Sequence, residues 1–327
     1  MKKHSFIANE RRRDLLILAG LAAVMLIIGI GVRNSYYLSL LTYASIYSIA
    51  ALGLFLLFGY AGQISLAQAA FFGMGAYITA FSTLNLGLAP IIGIVAAIIL
   101  PGLVGWLVSL QLLKLATNYL AMATLAFGTI SFIAFSQLHA VTGGLDPGVI
   151  GVPPFDLLGI SFRGPGPTFS LVAIFLVLTL LVTINLIHSR IGRALRALRT
   201  SEVAAAGLGI DVVRYKVIVF ALAASMAGLA GALFAHLQTN FNASSFGVGL
   251  SIELLLMVVL GSVFTPWGAL FGAAFVTLLP AALEDFDHYK LLIYGGIMTF
   301  SMIFVPDGLG KAAIDSLGDA LGRLGRK

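Results

Sequence analysis

Long apolar runs, each close to the length that crosses a bilayer, are the feature that most limits how this chain can fold. The run 15–32 is a clear example, and a membrane-spanning helix needs about 20 such residues. Of the 327 residues, 60% are hydrophobic and only 10% are charged, whereas a soluble domain carries about 25% charged residues. A soluble chain with this composition would expose much apolar surface to water. We therefore expect an all-α, polytopic transmembrane helix bundle.

Ten runs qualify as candidate spans, so we predict about ten crossings. They are 15–32, 36–58, 66–84, 88–113, 117–138, 169–187, 217–238, 250–264, 267–283 and 291–305. The short pair between 250 and 283 could instead form one re-entrant element. The first run could be a signal peptide, but its length and the lack of a small-residue cleavage site favour a retained helix.

The basic residues predict the orientation. They form three clusters beside apolar runs, in residues 1–14, 188–216 and 310–327. Basic loops stay in the cytoplasm, and six spans before 188 with four after 216 place all three clusters there. Both termini are then cytoplasmic, and the Pro- and Gly-rich stretch 139–167 is an external loop. Because the net charge of +6 comes from these clusters, it reflects topology and no nucleic-acid partner is expected.

Within 15–309, the expected transmembrane domain, little suggests catalysis. The absence of cysteine excludes disulfides, Cys metal sites and Cys nucleophiles. Neither a His-x-x-x-His pair, a Walker A sequence nor a Gly-x-Ser-x-Gly elbow is present, so we expect no enzyme, metal or cofactor. Glu253 is the one acid clearly inside a predicted span, near its external end, where it could be functional or interfacial. An ion-coupled carrier needs buried ionisable groups, so their scarcity favours energy supplied by a separate ATPase.

The segment 188–216 carries the strongest local pattern. Arginines at spacing three, from Arg190 to Arg199, predict a basic stripe on a helix. Thr200 or Ser201 can cap a second helix, with Glu202 in its first turn. This small helix could be a socket for a partner protein or an amphipathic helix on anionic lipid, and the residues alone favour neither.

Several motifs resemble the branched-chain amino acid ABC transporter permeases, and in particular the M-type permease subunit of that hydrophobic amino acid uptake family. They are ALGL at 51–54, GYAGQISL at 59–66, AAFFGMGAY at 69–77, YLAMATLAFG at 119–128, TGG at 142–144, GVPP at 151–154, the whole of 189–216, AGLAGAL at 227–233, MVVLG at 257–261 and FVPDGL at 304–309. The resemblance runs from about residue 36 to 309.

This resemblance implies an inner-membrane importer with several partners. It implies a homologous second permease subunit, two cytoplasmic ABC ATPases that hydrolyse the ATP, an external solute-binding protein and the surrounding lipid. In ABC importers a Glu-Ala-Ala…Gly element docks on the ATPase, which favours the socket interpretation here. The coupling residues implied are Arg199, Ser201, Glu202, Ala204, Gly207, Gly209 and Asp211.

The break in the apolar pattern at 59–63 predicts part of the solute pathway, because irregular backbone at membrane depth must line a cavity or be covered by protein. We predict Gln63, Ser65 and Gln68 as pathway or gate residues. The family usually has His where this chain has Gln68, and a glycine-rich stretch is thinned at 261–266, so the solute stays open. Branched-chain amino acids, urea, short amides and aromatic acids are candidates; a self-sufficient secondary carrier and a membrane-embedded enzyme are rival interpretations.

Overall fold

The computed structural model describes residues 2–32, 34–113, 117–157, 160–283 and 290–304, so the tail 310–327 lies outside the described residues. Thirteen α-helices occur in these ranges. They are α1 (Lys2–Gly31), α2 (Ser35–Phe55), α3 (Gln68–Leu84), α4 (Pro90–Leu112), α5 (Thr117–Gln137), α6 (His139–Thr142), α7 (Pro165–His188), α8 (Arg190–Thr200), α9 (Glu202–Gly207), α10 (Val212–Gln238), α11 (Val248–Gly261), α12 (Pro266–Ala282) and α13 (Lys290–Phe304). A π-helical turn (Leu56–Tyr60) extends α2, and the two-residue strands β1 (Asp156–Leu157) and β2 (Ile160–Ser161) pair antiparallel.

Six helices in the described ranges are long and apolar enough to cross a membrane, which confirms a helical, multi-span protein. They are Arg11–Gly31, Ser35–Tyr60, Pro90–Leu112, Tyr119–Gln137, Pro165–His188 and Val212–Gln238. The other four expected spans correspond to the shorter helices α3, α11, α12 and α13, which have 17, 14, 17 and 15 residues. The total of ten crossings therefore remains a prediction.

Three helices begin several residues earlier than the apolar pattern predicts, and the first is α1, which starts at Lys2 within the basic segment 1–14. Helix α7 starts at Pro165, inside the predicted external loop, and α10 starts at Val212, inside the segment 188–216. Proline suits the first turn of a helix because its fixed φ is helical and its missing N–H would be unpaired there. The Gly-Pro-Gly-Pro sequence thus starts α7 and does not belong wholly to the loop.

Helix α10 is the centre of the bundle and packs against α2, α3 and α4. Its glycines allow backbone contact: a methyl group on Gly231 would overlap the carbonyl oxygen of Phe72 on α3, and one on Gly75 would overlap that of Gly228. Between helices in lipid there is little hydrophobic driving force, so close van der Waals contact through small residues stabilises such packing.

The helices form two similar halves of opposite direction. Each half consists of a long helix, an irregular segment, a shorter helix and a further helix. The first half is α2, 61–67, α3 and α4, and the second half is α10, 239–247, α11 and α12. Helix α3 packs on α4 and α11 packs on α12, while α4 contacts α10 and α12 contacts α2. The two halves are antiparallel, because Tyr43 near the start of α2 donates a hydrogen bond to Gln238 at the end of α10. Inverted repeats of this kind are common in transporters.

Two of the basic segments lie at the same end of the bundle. Asp14 on α1 is within 3.0 Å of His188 at the end of α7, and Trp267 at the start of α12 donates to the same carboxylate at 3.4 Å. Arg11 donates to Asn185 at 2.8 Å. The basic N-terminal region and the start of the segment 188–216 therefore share one face, as the charge pattern predicts.

The predicted external loop is ordered against the opposite end of α10. Val149 and Phe241 exchange backbone hydrogen bonds of 2.8 and 3.1 Å. The Nδ1 of His236 donates to the carbonyl of Pro153 at 2.8 Å. The loop thus covers the irregular segment 239–247.

Candidate coupling and translocation site

Helix α8 lies flat on the bundle end with its apolar side inward. The hydroxyl of Ser189 accepts hydrogen bonds from the backbone N–H of Ile191 and Gly192, at 3.1 and 3.4 Å, and so caps the helix. Leu195 and Leu198 are buried, whereas the arginines at 190, 193, 196 and 199 are exposed. The predicted basic stripe therefore lies on the outer side of an amphipathic helix, although its last two arginines also reach aromatic rings of the bundle.

The short helix α9 is fixed at both ends by residues from the predicted coupling set. Ser201 caps its start by accepting from the N–H of Ala204 at 3.2 Å. Gly209 follows its end with a φ of 80°, a left-handed conformation that glycine adopts without strain. Asp211 then caps α10 by accepting from the N–H of Arg214 at 3.0 Å. Ala204 and Gly207 lie exposed on α9.

An ion pair holds α9 against the start of α10. The Lys216 ammonium lies 2.6 Å from the Glu202 carboxylate, and the two side chains are 11% and 49% exposed. The half-exposed partner limits the stabilisation that this pair can provide. Glu202 therefore sets where α9 sits, and about half of its side chain stays open to solvent.

Two residues outside the predicted set give α9 an apolar surface. Val203 and Leu208 are 85% and 80% exposed, although they lie outside the apolar spans. They lie five residues apart, on α9 and just after its end, and large apolar side chains this exposed are candidates for contact with another molecule. The sequence signal was available, because both residues interrupt an otherwise small or polar segment.

Arg199 connects α8 to the place where α2 loses regular helical structure. Its guanidinium donates to the carbonyl oxygen of Gly59 and lies 5.0 Å from the centre of the Phe264 ring, within the range of a cation–π interaction. Its aliphatic stem packs beside Gly62. The coupling segment thus touches the irregular segment 61–67 directly.

The three predicted pathway residues are brought together in this irregular segment and the first turn of α3, and all three are buried. The Gln68 amide donates to the carbonyls of Ala50 on α2 and Ala223 on α10, at 3.3 and 3.2 Å. Ser65 accepts from the N–H of Ala67 at 3.4 Å. The side-chain amide of Gln63 has no hydrogen-bond partner among the residues that the structure describes. Gln68 therefore joins three helices where α3 begins.

Helices α3 and α11 begin beside each other, midway along α10. The N–H of Ala69 donates to the hydroxyl of Ser251 at 3.0 Å, which places the first turns of both helices together. Ala223, which accepts from Gln68, is the twelfth of the 27 residues of α10. From this point α3 runs along α10 towards Gln238, whereas α11 runs to the end where Phe264 meets Arg199. The site therefore contains two part-length helices whose N-termini meet in the interior.

A comparison with known families decides the class of this protein. The family described as "branched-chain amino acid transport system / permease component" matches residues 36–302.

The chain belongs to this family. The permease is 33% identical over 296 residues to the "high-affinity branched-chain amino acid transport system permease protein LivM" of Escherichia coli (strain K12), covering 82% of this chain and 68% of that protein.

More distant relatives include a second type of subunit. Over 297 residues this chain is 23% identical to the LivH permease protein of Salmonella typhimurium, covering 84% of this chain and 95% of that protein. It is also 28% identical over 291 residues to the "autoinducer 2 import system permease protein LsrC" of Salmonella typhi, covering 85% and 80%. No solved structure matches.

The two departures of the permease from the family pattern both lie in contact regions of the site. Gln68 joins α2, α3 and α10 through its amide nitrogen. The thinned glycine stretch forms the end of α11 and the loop to α12, where a methyl group on Gly59 would overlap the carbonyl of Val263. Both departures therefore lie beside the irregular segment.

Proposed function

We propose that the permease is the membrane subunit of an ABC importer that moves branched-chain or related amino acids across the inner membrane, with ATP hydrolysed by partner subunits. The observation that carries this proposal is the α8–α9 element. It presents Val203 and Leu208 away from the bundle and touches the irregular segment through Arg199. A self-sufficient carrier has no need of such an exposed apolar helix.

The contacts suggest a route for coupling. An ATPase dimer that closes against α9 displaces α8, to which α9 is joined at Ser201. Arg199 then pulls on the Gly59 carbonyl and on the segment 61–67. The Gln68 hydrogen bonds pass this movement to α2 and α10. The buried side-chain amide of Gln63, which has no partner in the described part of the chain, gains one when this segment rearranges, so Gln63, Ser65 and Gln68 act as the gate.

The remaining partners occupy other faces. A homologous second permease subunit pairs with this chain, as the similarity to both LivM and LivH proteins suggests. An external solute-binding protein docks on the opposite end, at residues 143–154, where Leu145 and Ile150 are exposed.

In the proposed topology the chain crosses the membrane ten times with cytoplasmic termini. The six long helices supply six crossings, and α12 and α13 supply two more. The other two combine an irregular segment with a part-length helix, 61–67 with α3 and 239–247 with α11. Irregular backbone is tolerated at these depths because protein covers it.

Single cysteines test this topology, since the native chain has none. Gly207→Cys should react with an impermeant maleimide only when the cytoplasmic side is open, and Ile150→Cys should react from outside in intact cells. Both positions are exposed and apart from the packed interior. Labelling of both cysteines from the same side would contradict the topology.

Reconstitution tests the function. The permease with its second subunit, ATPases and binding protein in liposomes should take up leucine only with internal ATP. Arg199→Gln should keep assembly and ATP hydrolysis but lower uptake by about 10-fold or more, because a charge-assisted hydrogen bond and a cation–π contact contribute about 2 kcal/mol. Arg193→Gln, on the solvated side of α8, is the matched control. ATP-independent uptake by this chain alone would support a secondary carrier instead.

The identity of the solute is the part of the proposal that has alternatives. The relative named for autoinducer 2 import is similar along most of the chain, so the family fold accommodates more than amino acids. Ligand screening of the cognate binding protein separates branched-chain amino acids from urea, short amides and aromatic acids.

A further inference from the structure

Glu253 lies at mid-depth in the bundle and not near an external end. Its neighbour Ser251 contacts Ala69 at the start of α3. The adjacent Gln68 reaches Ala223, which is about 17 Å along the roughly 40 Å of α10. Glu253 is two residues beyond Ser251 on α11, so it lies about 3 Å further along the axis.

This carboxylate is nevertheless exposed on the surface of the chain. A charged side chain at the depth of the acyl chains is strongly disfavoured against lipid. The face of α11 that carries Glu253 therefore does not meet lipid. In the assembled importer it faces water, solute or another subunit.

A polar and aromatic strip joins Glu253 to the end of α10 that is external in the proposed topology. Helix α11, which carries Glu253, packs against α2, which carries Tyr47. Tyr47 stacks beside Tyr43, with ring centroids 6.5 Å apart, and Tyr43 donates to Gln238. Both tyrosines are half-buried. Gly249, one turn before Glu253 on the same face, leaves open space beside the carboxylate.

We propose that Glu253 binds the ammonium group of the solute during passage, with Tyr47 contacting the same cation. A carboxylate pairs with an ammonium, and an aromatic ring beside it adds a cation–π interaction. The surrounding aromatic side chains suit an apolar body. This inference rests on the proposed amino acid transport and names the group in the chain that distinguishes an amino acid from a plain carboxylic acid.

Direct binding of two probes tests the role. Leucine and isocaproate, which is leucine without its amino group, are titrated into the complete permease–ATPase complex in detergent, without binding protein. Wild type should prefer leucine. Glu253→Gln should weaken leucine binding about 10-fold or more, since an ion pair of this kind contributes at least 1.4 kcal/mol, while isocaproate binding is unchanged or tighter. Glu253→Asp should restore part of the leucine preference, and Asp156→Asn, an exposed carboxylate in β1, should change neither.

Three outcomes overturn the assignment. One is a wild-type complex that binds leucine no tighter than isocaproate; another is a Glu253→Gln variant that loses both probes equally. The third is failure of this variant to assemble with the second permease, which would make Glu253 a subunit contact. ATP-dependent leucine uptake by the wild-type importer is measured alongside, so that intact uptake by a wild type that binds leucine no tighter than isocaproate counts against this inference alone.

Discussion

Replacing Val203 and Leu208 together by aspartate should detach the permease from its ATPases. Both side chains project from α9 and touch little of the bundle, so the fold should be unaffected. A carboxylate buried at an interface without a partner costs about 2 kcal/mol or more. Two of them should weaken association by at least about 100-fold. Co-purification of the ATPases from membranes, followed by titration of purified ATPase, measures this loss.

The control places the same change at the other end of the bundle. Leu145→Asp with Ile150→Asp also introduces two acids at exposed apolar positions. This double variant should still bind the ATPases, but the binding protein should no longer stimulate ATP hydrolysis. Unchanged affinity of the Val203 and Leu208 double variant for the ATPases would instead support the alternative that α9 is an amphipathic helix lying on lipid.

Gly231→Ala should produce a large loss of stability from a single methyl group. The added carbon would overlap the backbone carbonyl of Phe72, and this atom cannot move without shifting α3. Overpacking of this kind costs about 3 kcal/mol. We expect the detergent-solubilised protein to melt roughly 5–10 °C lower, as measured by a thermal shift assay.

Gly20→Ala provides the comparison, because it adds the same methyl group to a membrane helix at a position with no neighbouring atom within 4 Å. Its melting temperature should stay at or slightly above that of wild type, since Ala favours helix by about 1 kcal/mol over Gly. Equal melting of both variants would show that α3 and α10 are not in close contact at Gly231.

The apolar runs predicted most helices because hydrophobic length is a local property. The basic stripe and a helix cap at Thr200 or Ser201 were also predicted from local sequence. The structure has both, with Ser201 as the capping residue. Helix α7 was predicted to start too late because a proline at the first turn reads as a helix breaker in a run of Gly and Pro. The bounds of α10 were wrong for a similar reason, since its first turn is polar.

The position of Glu253 could not be obtained from the sequence. An apolar run that follows a short loop is predicted to begin at the membrane surface. Only the contact between Ser251 and Ala69 shows that α11 begins in the interior. The burial of Gln68 was likewise invisible, because its two acceptors are backbone carbonyls on helices distant in the chain. A hydrogen bond from a side chain to the backbone carbonyl of a distant residue cannot be predicted from the identity of that residue, because every residue has such a carbonyl.

The shared start of α3 and α11 has a mechanical consequence. One hydroxyl, on Ser251, satisfies a backbone donor in the other half of the molecule, and the two helices leave this point in opposite directions. A tilt of one half about that point therefore swings the outward arm and the inward arm at once. In the proposed importer, closing one side of the membrane and opening the other is then a single rotation about Ser251 and Ala69, and it needs no separate timing of two gates.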